Sequence, residues 1–367
     1  MRIAQVAPLV ESVPPKLYGG TERVVSWLSD ELVRQGHDVT VFASGDSHVL
    51  GRLVAITDQA LRLNPQVKDP LGYHVMMLDR VCALADSFDV IHFHIDLLHA
   101  PFLRNLRVPA LTTLHGRLDL PDLVPFYKAF PEFPAVSISD AQRRPLPMVN
   151  WLDTIYHGLP ADLLPATLQP QGDYLAFLGR ISPEKRPDRA IEIAVRAGMK
   201  LKIAAKIDNA DRGYWDRAIA PLVAAHPDCV EFIGEINDAQ KTGFLGNARG
   251  LLFPIDWPEP FGLTMIEAMA CATPVIAYSC GSVPEIIEDG KSGFLVNSID
   301  EAVDAVRRLD RLPRAGVRAC FERRFTVERM AADYVDLYRR VAGATFAEAD
   351  NVVLLREPEV SVASGAA

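Results

Sequence analysis

Two glutamates and two cations stand out in this chain by their spacing. Glu259 and Glu267 have seven residues between them in the stretch Phe253 to Glu267, which reads Phe-Pro-Ile-Asp-Trp-Pro-Glu-Pro-Phe-Gly-Leu-Thr-Met-Ile-Glu. Glu267 falls in the first turn of a helix expected over Met265–Ala272, where free N–H groups can receive an anion. The bland alternative is local. Thr264-x-x-Glu267 has the spacing of a capping box with Thr264 as N-cap, and Glu259 on its own reads as a solvated loop acid. Arg180 and Lys185 lie in Gly-Arg-Ile-Ser-Pro-Glu-Lys-Arg-Pro, a loop from a strand's carboxyl end into a helix. An arginine fork, a lysine point charge and helix amides together suit a pyrophosphate, although solvated surface charge has the same composition.

Alternating strand and helix signals must position these groups. Arg2 to Ala7 reads as a buried strand. Gly19-Gly20 precedes a helix with Thr21 as its expected N-cap, and a second strand follows at Asp38–Ala43. This βαβ unit implies a parallel sheet that binds ligands at the carboxyl ends of its strands. His115 sits just past such an end, after Pro109–Thr113, where it can donate a hydrogen bond to a sugar hydroxyl or a phosphate oxygen. The glycine pair suits close approach of a phosphate or sugar, or is an ordinary turn. No Gly-x-Gly-x-x-Gly is present, so a dinucleotide fingerprint is not supported. His92-x-His94-x-Asp96 has the opening spacing of a binuclear metal site, but Leu97 follows and no later cluster completes it. We read those histidines as hydrogen-bonded at a strand end.

After a proline-rich hinge at 160–172 the alternation restarts, with strands at Tyr174–Leu178 and Leu201–Ala205 and a helix at Pro187–Ala197. Proline stands at that helix's first position and Gly198 just past its end. The fold class is therefore α/β, two Rossmann-like doubly wound domains facing a central cleft. We place them at 1–165 and 170–326, with a helix at 327–343 returning to the first and a disordered tail at 346–367. The 367 residues carry a net charge of −9, which disfavours a nucleic-acid partner and allows at most peripheral membrane contact. Five scattered cysteines and no leader-like N-terminus suggest a reduced, cytoplasmic protein. The apolar segment 120–133 reads as an acceptor loop, a membrane contact or a buried cover.

The string Glu-Pro-Phe-Gly-Leu-x-x-x-Glu, followed by Glu-Ala-Met-Ala-Cys-x-Thr-Pro-Val-Ile-Ala, closely resembles the donor-site signature of the family-4 retaining glycosyltransferases. Gly-Gly…Leu…Gly-His-Asp-Val-Thr-Val, Thr-Leu-His-Gly and Gly-Arg-x-x-x-Glu-Lys are similar to other motifs of that family. The resemblance runs from Arg2 to about Val341 and implies the GT-B fold. It implies that Glu267 holds ribose hydroxyls within a donor site that includes Phe261, Gly262, Leu263 and Thr264. It implies that Glu259 faces the sugar ring, that Arg180 and Lys185 bind the diphosphate, and that His115 contacts the donor. Gly19, Gly20, Gly281 and Ser282 would offer backbone amides near the diphosphate. At Lys206 the chain departs from that family, which commonly has a small residue there.

The implied activity is transfer of a hexose from a nucleoside diphosphate sugar, by family habit UDP-linked, to the hydroxyl of a sugar, glycan, lipid-linked or small-molecule acceptor. The anomeric configuration is retained, and no metal or other cofactor is required. A nucleotide-sugar epimerase of the same fold and a non-catalytic nucleotide-sugar-binding protein are the alternatives. A glycosidase using Glu259 and Glu267 as its two carboxyls would leave Arg180 and Lys185 unexplained.

Overall fold

The computed structural model describes residues 1–16 and 19–349. Its first sheet is built from β1 (Arg2–Val6), β2 (Asp38–Ser44), β3 (Arg52–Thr57), β4 (Val90–Phe93), β5 (Ala110–Thr113), β6 (Pro134–Ser137) and β7 (Asn150–Thr154). The strand order is β3-β2-β1-β4-β5-β6-β7, and every pairing is parallel. The second comprises β8 (Tyr174–Arg180), β9 (Lys200–Lys206), β10 (Val230–Gly234), β11 (Gly250–Phe253), β12 (Val275–Tyr278) and β13 (Gly293–Val296), in the order β10-β9-β8-β11-β12-β13 and again parallel. Each order reverses direction beside its first strand, between β1 and β4 and between β8 and β11. In open α/β sheets, ligands lodge in the crevice at that reversal.

Parallel strands are covered on both faces, so they read as continuous apolar runs. β4 and β11 are buried at every position. Two helices show how local signals set their bounds. The helix Pro187–Ala197 starts on its N1 proline and ends on Gly198, whose N–H bonds to Ala194 and Val195 carbonyls. The helix Asp238–Gly246 begins in a capping box between Asn237 and Gln240.

The chain returns to the first domain at its end. Leu159 N–H bonds to Phe325 O at 3.0 Å, and Val327 N–H to Leu159 O at 3.0 Å. The helix Val327–Ala349 then buries Met330, Tyr334, Leu337 and Tyr338 among residues of the first sheet. The expected hinge segment is held by half-buried guanidinium groups. Arg318 donates to the Ala161 and Leu164 carbonyls, and Arg314 donates to that of Thr167. The tail expected over 346–367 begins inside this last helix, and from residue 350 it lies outside the described residues. In the apolar segment 120–133, the helix Leu123–Ala129 buries Tyr127, and Phe133 is buried beside it. Among the described residues, no helix is long and apolar enough to cross a membrane.

Candidate active site

The acidic stretch is built on β11. Prolines 254, 258 and 260 carry the chain out of the sheet, and Gly262 turns it into the helix Leu263–Ala270. Gly262 has φ +84°, a backbone that favours glycine, and it is the cap residue. Thr264 therefore lies inside the helix, which also ends at Ala270, short of the expected Ala272. The capping box expected of Thr264 and Glu267 does not form. Glu267 Oε1 instead accepts from Lys241 Nζ at 2.6 Å, and only 7% of the Glu267 side chain is exposed. Lys241 comes from the helix Asp238–Gly246 and also lies 3.2 Å from Asp238. Asp238 in turn pairs with Arg23 of the first domain's helix Gly20–Arg34.

Glu259 is buried in the loop ahead of that helix. Its Oε2 accepts from Trp257 Nε1 at 3.0 Å and forms an ion pair with Lys185. Gly281 and Ser282 support this loop from behind. Ser282 N–H donates to Glu259 O at 2.9 Å, and Ser282 Oγ donates to Phe261 O at 2.9 Å. A Cβ on Gly281, itself at φ +59°, would come within 2.4 Å of Glu259 N. Neither residue lines the cleft. In place of the expected amides for a diphosphate, Ser282 spends its N–H and hydroxyl on the acidic loop and Gly281 packs against it, so both brace that loop.

The cations arrive on the strand ends. Arg180 closes β8 and bonds Glu184 at 2.6 Å, with Asp208 and Asp211 each at 3.8 Å. Lys185 Nζ lies 4.8 Å from the Trp257 ring centre. Lys206 closes β9, pairs with Asp208 at 2.9 Å and also lines the cleft. Each cation of the expected clamp is thus held by carboxylates, which an incoming anion would have to outbid.

The first domain supplies the opposite wall. Its glycine loop leads into a helix that starts at Gly20, with Gly19 as cap residue, so Thr21 is not the N-cap. A Cβ on Gly20 would lie 3.6 Å from Leu263 Cδ1 of the second domain, which places the glycine loop against the donor-signature helix. Behind it runs a buried polar chain. His94 Nε2 bonds Gln5 Oε1 at 2.8 Å, and Gln5 Nε2 donates to Tyr338 OH at 3.0 Å. Tyr338 OH bonds His92 Nδ1 at 2.7 Å, and His92 Nε2 bonds Thr113 Oγ1 at 2.7 Å. The amide oxygen can only accept, so His94 carries its proton on Nε2 and uses Nδ1 as an acceptor. His115 Nε2–H then donates to that Nδ1, at 2.9 Å. This leaves His115 Nδ1 a bare acceptor, buried and without a protein partner. Burial lowers the His115 pKa to about 3, so the ring is neutral at physiological pH. The expected donor to a phosphate oxygen is therefore an acceptor. His92 lies inside β4 and His94 just past its carboxyl end; both are buried and each is satisfied by hydrogen bonds. Among the described residues, no group of three or more His, Cys, Asp or Glu side chains could hold a metal ion.

These elements enclose a cleft of about 490 Å³ between the two sheets. It is lined by Gly19, Gly20, His115, Arg180, Lys185, Glu259, Phe261, Gly262, Leu263, Thr264 and Glu267, which is every expected site residue except Gly281 and Ser282. Lys241, Trp257, Arg23 and His157 also line it and were not foreseen. Lys241 carries no motif; in sequence it is one cation on a polar helix.

Comparison with known proteins gives the family. The model of the Glycosyltransferase Family 4 matches residues 18–156, and that of the Glycosyl transferases group 1 matches residues 166–315. Together the two models take in most of the chain, one for each sheet. The chain belongs to the group 1 glycosyltransferases. This glycosyltransferase is 26% identical to the phosphatidyl-myo-inositol mannosyltransferase of Mycolicibacterium smegmatis, across 94% of this chain and 95% of that one. It is 32% identical to the D-inositol 3-phosphate glycosyltransferase of Nocardia farcinica over 41% of its own length, and the match spans only 37% of that relative. Its structure superposes on a glycosyltransferase involved in Avilamycin A biosynthesis with a TM-score of 0.71 and 25% identity, covering 94% of this chain and 98% of the other. The sucrose-phosphate synthase of Thermosynechococcus elongatus shares the fold at a TM-score of 0.76 and 20% identity, covering 94% and 100%. The expected GT-B architecture of two facing parallel-sheet domains is therefore present.

Proposed function

We propose that this glycosyltransferase moves a hexose from a nucleoside diphosphate sugar, UDP-linked, to an acceptor hydroxyl with retention of configuration, in the cytoplasm and without a required metal. The observation that carries the proposal is that Arg180 and Lys185 from one stretch of the chain, and Glu259 and Glu267 from another, converge on one cleft. Lys241 holds Oε1 of Glu267, which leaves Oε2 to accept the hydroxyls of a ribose. Trp257 and Lys185 hold Oε2 of Glu259, which leaves Oε1 for the sugar ring.

The demanding step is departure of the diphosphate while the sugar becomes cationic. Arg180 and Lys185 would meet the growing negative charge, and a preorganised contact of this kind is typically worth roughly 3–4 kcal/mol in the transition state. The acceptor's proton would pass to a donor phosphate oxygen on the same face of the sugar. That route requires no basic side chain, which suits a neutral His115. Both glutamates are engaged by lysines, and a glycosidase reading would leave Arg180, Lys185 and Lys241 without a role.

The test is a panel of UDP-, GDP- and ADP-sugars. Donor binding is read by thermal shift and products by NMR, with and without EDTA. We expect a UDP-sugar to stabilise the protein and its sugar to appear on an acceptor with unchanged anomeric configuration in both conditions. A changed sugar without transfer would make the protein an epimerase, and binding without turnover would make it a sensor.

A further inference from the structure

Four charged side chains run in sequence from the first domain to Glu267. Arg23 lies in the first turn of the helix Gly20–Arg34, where its N–H donates to Gly19 O at 3.3 Å. Its guanidinium reaches the second domain and pairs with Oδ2 of Asp238, the first residue of the helix Asp238–Gly246. One turn further on, Lys241 Nζ stands 3.2 Å from Oδ1 of the same carboxylate and 2.6 Å from Glu267 Oε1. The charges alternate along this line: positive, negative, positive, negative.

Lys241 therefore sits between two rival carboxylates, and Arg23 decides how it divides itself. Burial disfavours the charge on Asp238, but the attraction of Lys241 and Arg23 outweighs that and holds its pKa below the ordinary value. Asp238 is thus an anion at neutral pH. With Arg23 on Oδ2, much of that charge is offset, and the lysine lies closer to Glu267 than to Asp238. Without Arg23, the full charge of Asp238 would draw Lys241 away from Glu267. The pull is a strong one, because attraction grows as separation shrinks and salt screens largely buried groups poorly. Arg23 and Lys241 are both largely buried, and both line the cleft with Glu267.

We infer that Arg23 is a positioning residue for the donor's ribose, an inference that rests on the donor reading above. By occupying Asp238 it commits Lys241 to Glu267 Oε1, and so fixes the carboxylate whose Oε2 accepts the ribose hydroxyls. The ribose site lies in the second domain, yet a side chain of the first completes it. The coupling is reciprocal. A nucleotide that gains affinity from the Arg23–Asp238 contact strengthens that contact in return, so it draws the two domains together.

The experiment measures UDP affinity by isothermal titration calorimetry in the parent and in Arg23→Gln, Arg23→Met, Arg23→Lys and Asp238→Asn. Each Arg23 variant is also combined with Asp238→Asn, and thermal melts establish which proteins are folded. Glutamine and methionine remove the charge in different shapes, so either one, folded, is sufficient. Loss of the charge should weaken UDP by at least about fivefold, the lower end of ordinary coupling between sites. Arg23→Lys keeps the charge and should recover most of that loss. Beside Asp238→Asn, Lys241 has no rival carboxylate. There, whatever Asp238→Asn does by itself, removing the Arg23 charge should change UDP affinity by less than about twofold, the scatter of independent sites. The inference is overturned if the charge-removing variants bind UDP as the parent does. It is overturned equally if their loss persists undiminished beside Asp238→Asn, because Arg23 would then act on the nucleotide directly. A parent that does not bind UDP removes the donor reading, and this inference with it.

Discussion

Lys241 Nζ and Glu267 Oε1 lie 2.6 Å apart, joining two helices of the second domain at the floor of the cleft, with 13% and 7% of their side chains exposed. The pair is set by the fold alone, since the residues are 26 apart in sequence and no periodicity relates them. It fixes one oxygen of the carboxylate and leaves the other to a ligand.

Removing the lysine should therefore harm the protein twice. Lys241→Met leaves a buried carboxylate without its partner, which costs about 3–5 kcal/mol in comparable cases. The denaturation midpoint and UDP affinity should both fall. Lys241→Met combined with Glu267→Gln leaves no charge uncompensated, so most of the stability should return while UDP affinity stays low. If the single variant unfolds within 1 kcal/mol of the parent, the pair has no structural role.

Arg180→Ala should separate catalysis from folding. The Arg180 side chain is 34% exposed and its Glu184 partner is one helical turn away in sequence, a class of ion pair worth roughly 0–1 kcal/mol. Loss of a preorganised group that meets developing charge lowers turnover by about 10²–10³-fold. Chemical denaturation and single-turnover kinetics on the same preparation decide this. A turnover loss no larger than the stability loss would remove Arg180 from the diphosphate site.

Where the signal was local, the sequence was sufficient. The helix Pro187–Ala197 has the bounds read from its proline and glycine. Both threonine caps failed because a glycine two residues earlier already made the turn: Gly19 for Thr21 and Gly262 for Thr264. The strand Arg52–Thr57 and the helix Leu71–Leu84 had no clear pattern. The strand is at the sheet edge with no fully buried position, and the helix exposes Leu71, Val75 and Met76, which blurs its apolar face. The segment Trp215–Ile219 is π-helical, which no local sequence signal marks. Lys241 and the bracing roles of Gly281 and Ser282 depend on contacts between distant segments, which one sequence does not display.

Gly281→Ala should impair turnover from outside the cleft. The added methyl would meet Glu259 N at 2.4 Å and Glu259 O at 2.5 Å, so the acidic loop must shift. Gly198→Ala is the control, because it also has positive φ but meets nothing within 4 Å. Each alanine in a left-handed backbone costs on the order of 1 kcal/mol. Equal melting losses with a turnover defect only in Gly281→Ala would confirm the brace; equal turnover in the two variants would remove it.

The buried histidines should make stability depend on pH between about 7 and 5. Burial lowers the pKa of His99 and His115 to about 3, and it lowers those of His92, His94 and His157 well below the ordinary value. Unfolded, each takes up a proton near pH 6.5, while the native state does not. Their stabilising contribution is thus complete above about 6.5 and is lost as pH falls toward the native values, at about 1.4 kcal/mol per pH unit for each ring. Glu11, Glu22, Asp30 and Asp96 act in the opposite sense, because burial raises their pKa values and the native state binds their protons first. Five rings outnumber four carboxyls, and ordinary carboxylates begin to titrate only near the bottom of this range, so a net loss is expected. His99 lies outside the cleft, bonds Thr112 Oγ1 at 2.6 Å and stacks on Phe93 with ring centres 4.0 Å apart. His99→Gln keeps a hydrogen-bonding group but does not titrate. It should lower stability at pH 7.5 and flatten the pH 7 to 5 slope by about 1.4 kcal/mol per unit. Chemical denaturation of both proteins across that range checks this, and a parent whose stability does not change from pH 7 to 5 would show that these rings do not stay neutral in the fold.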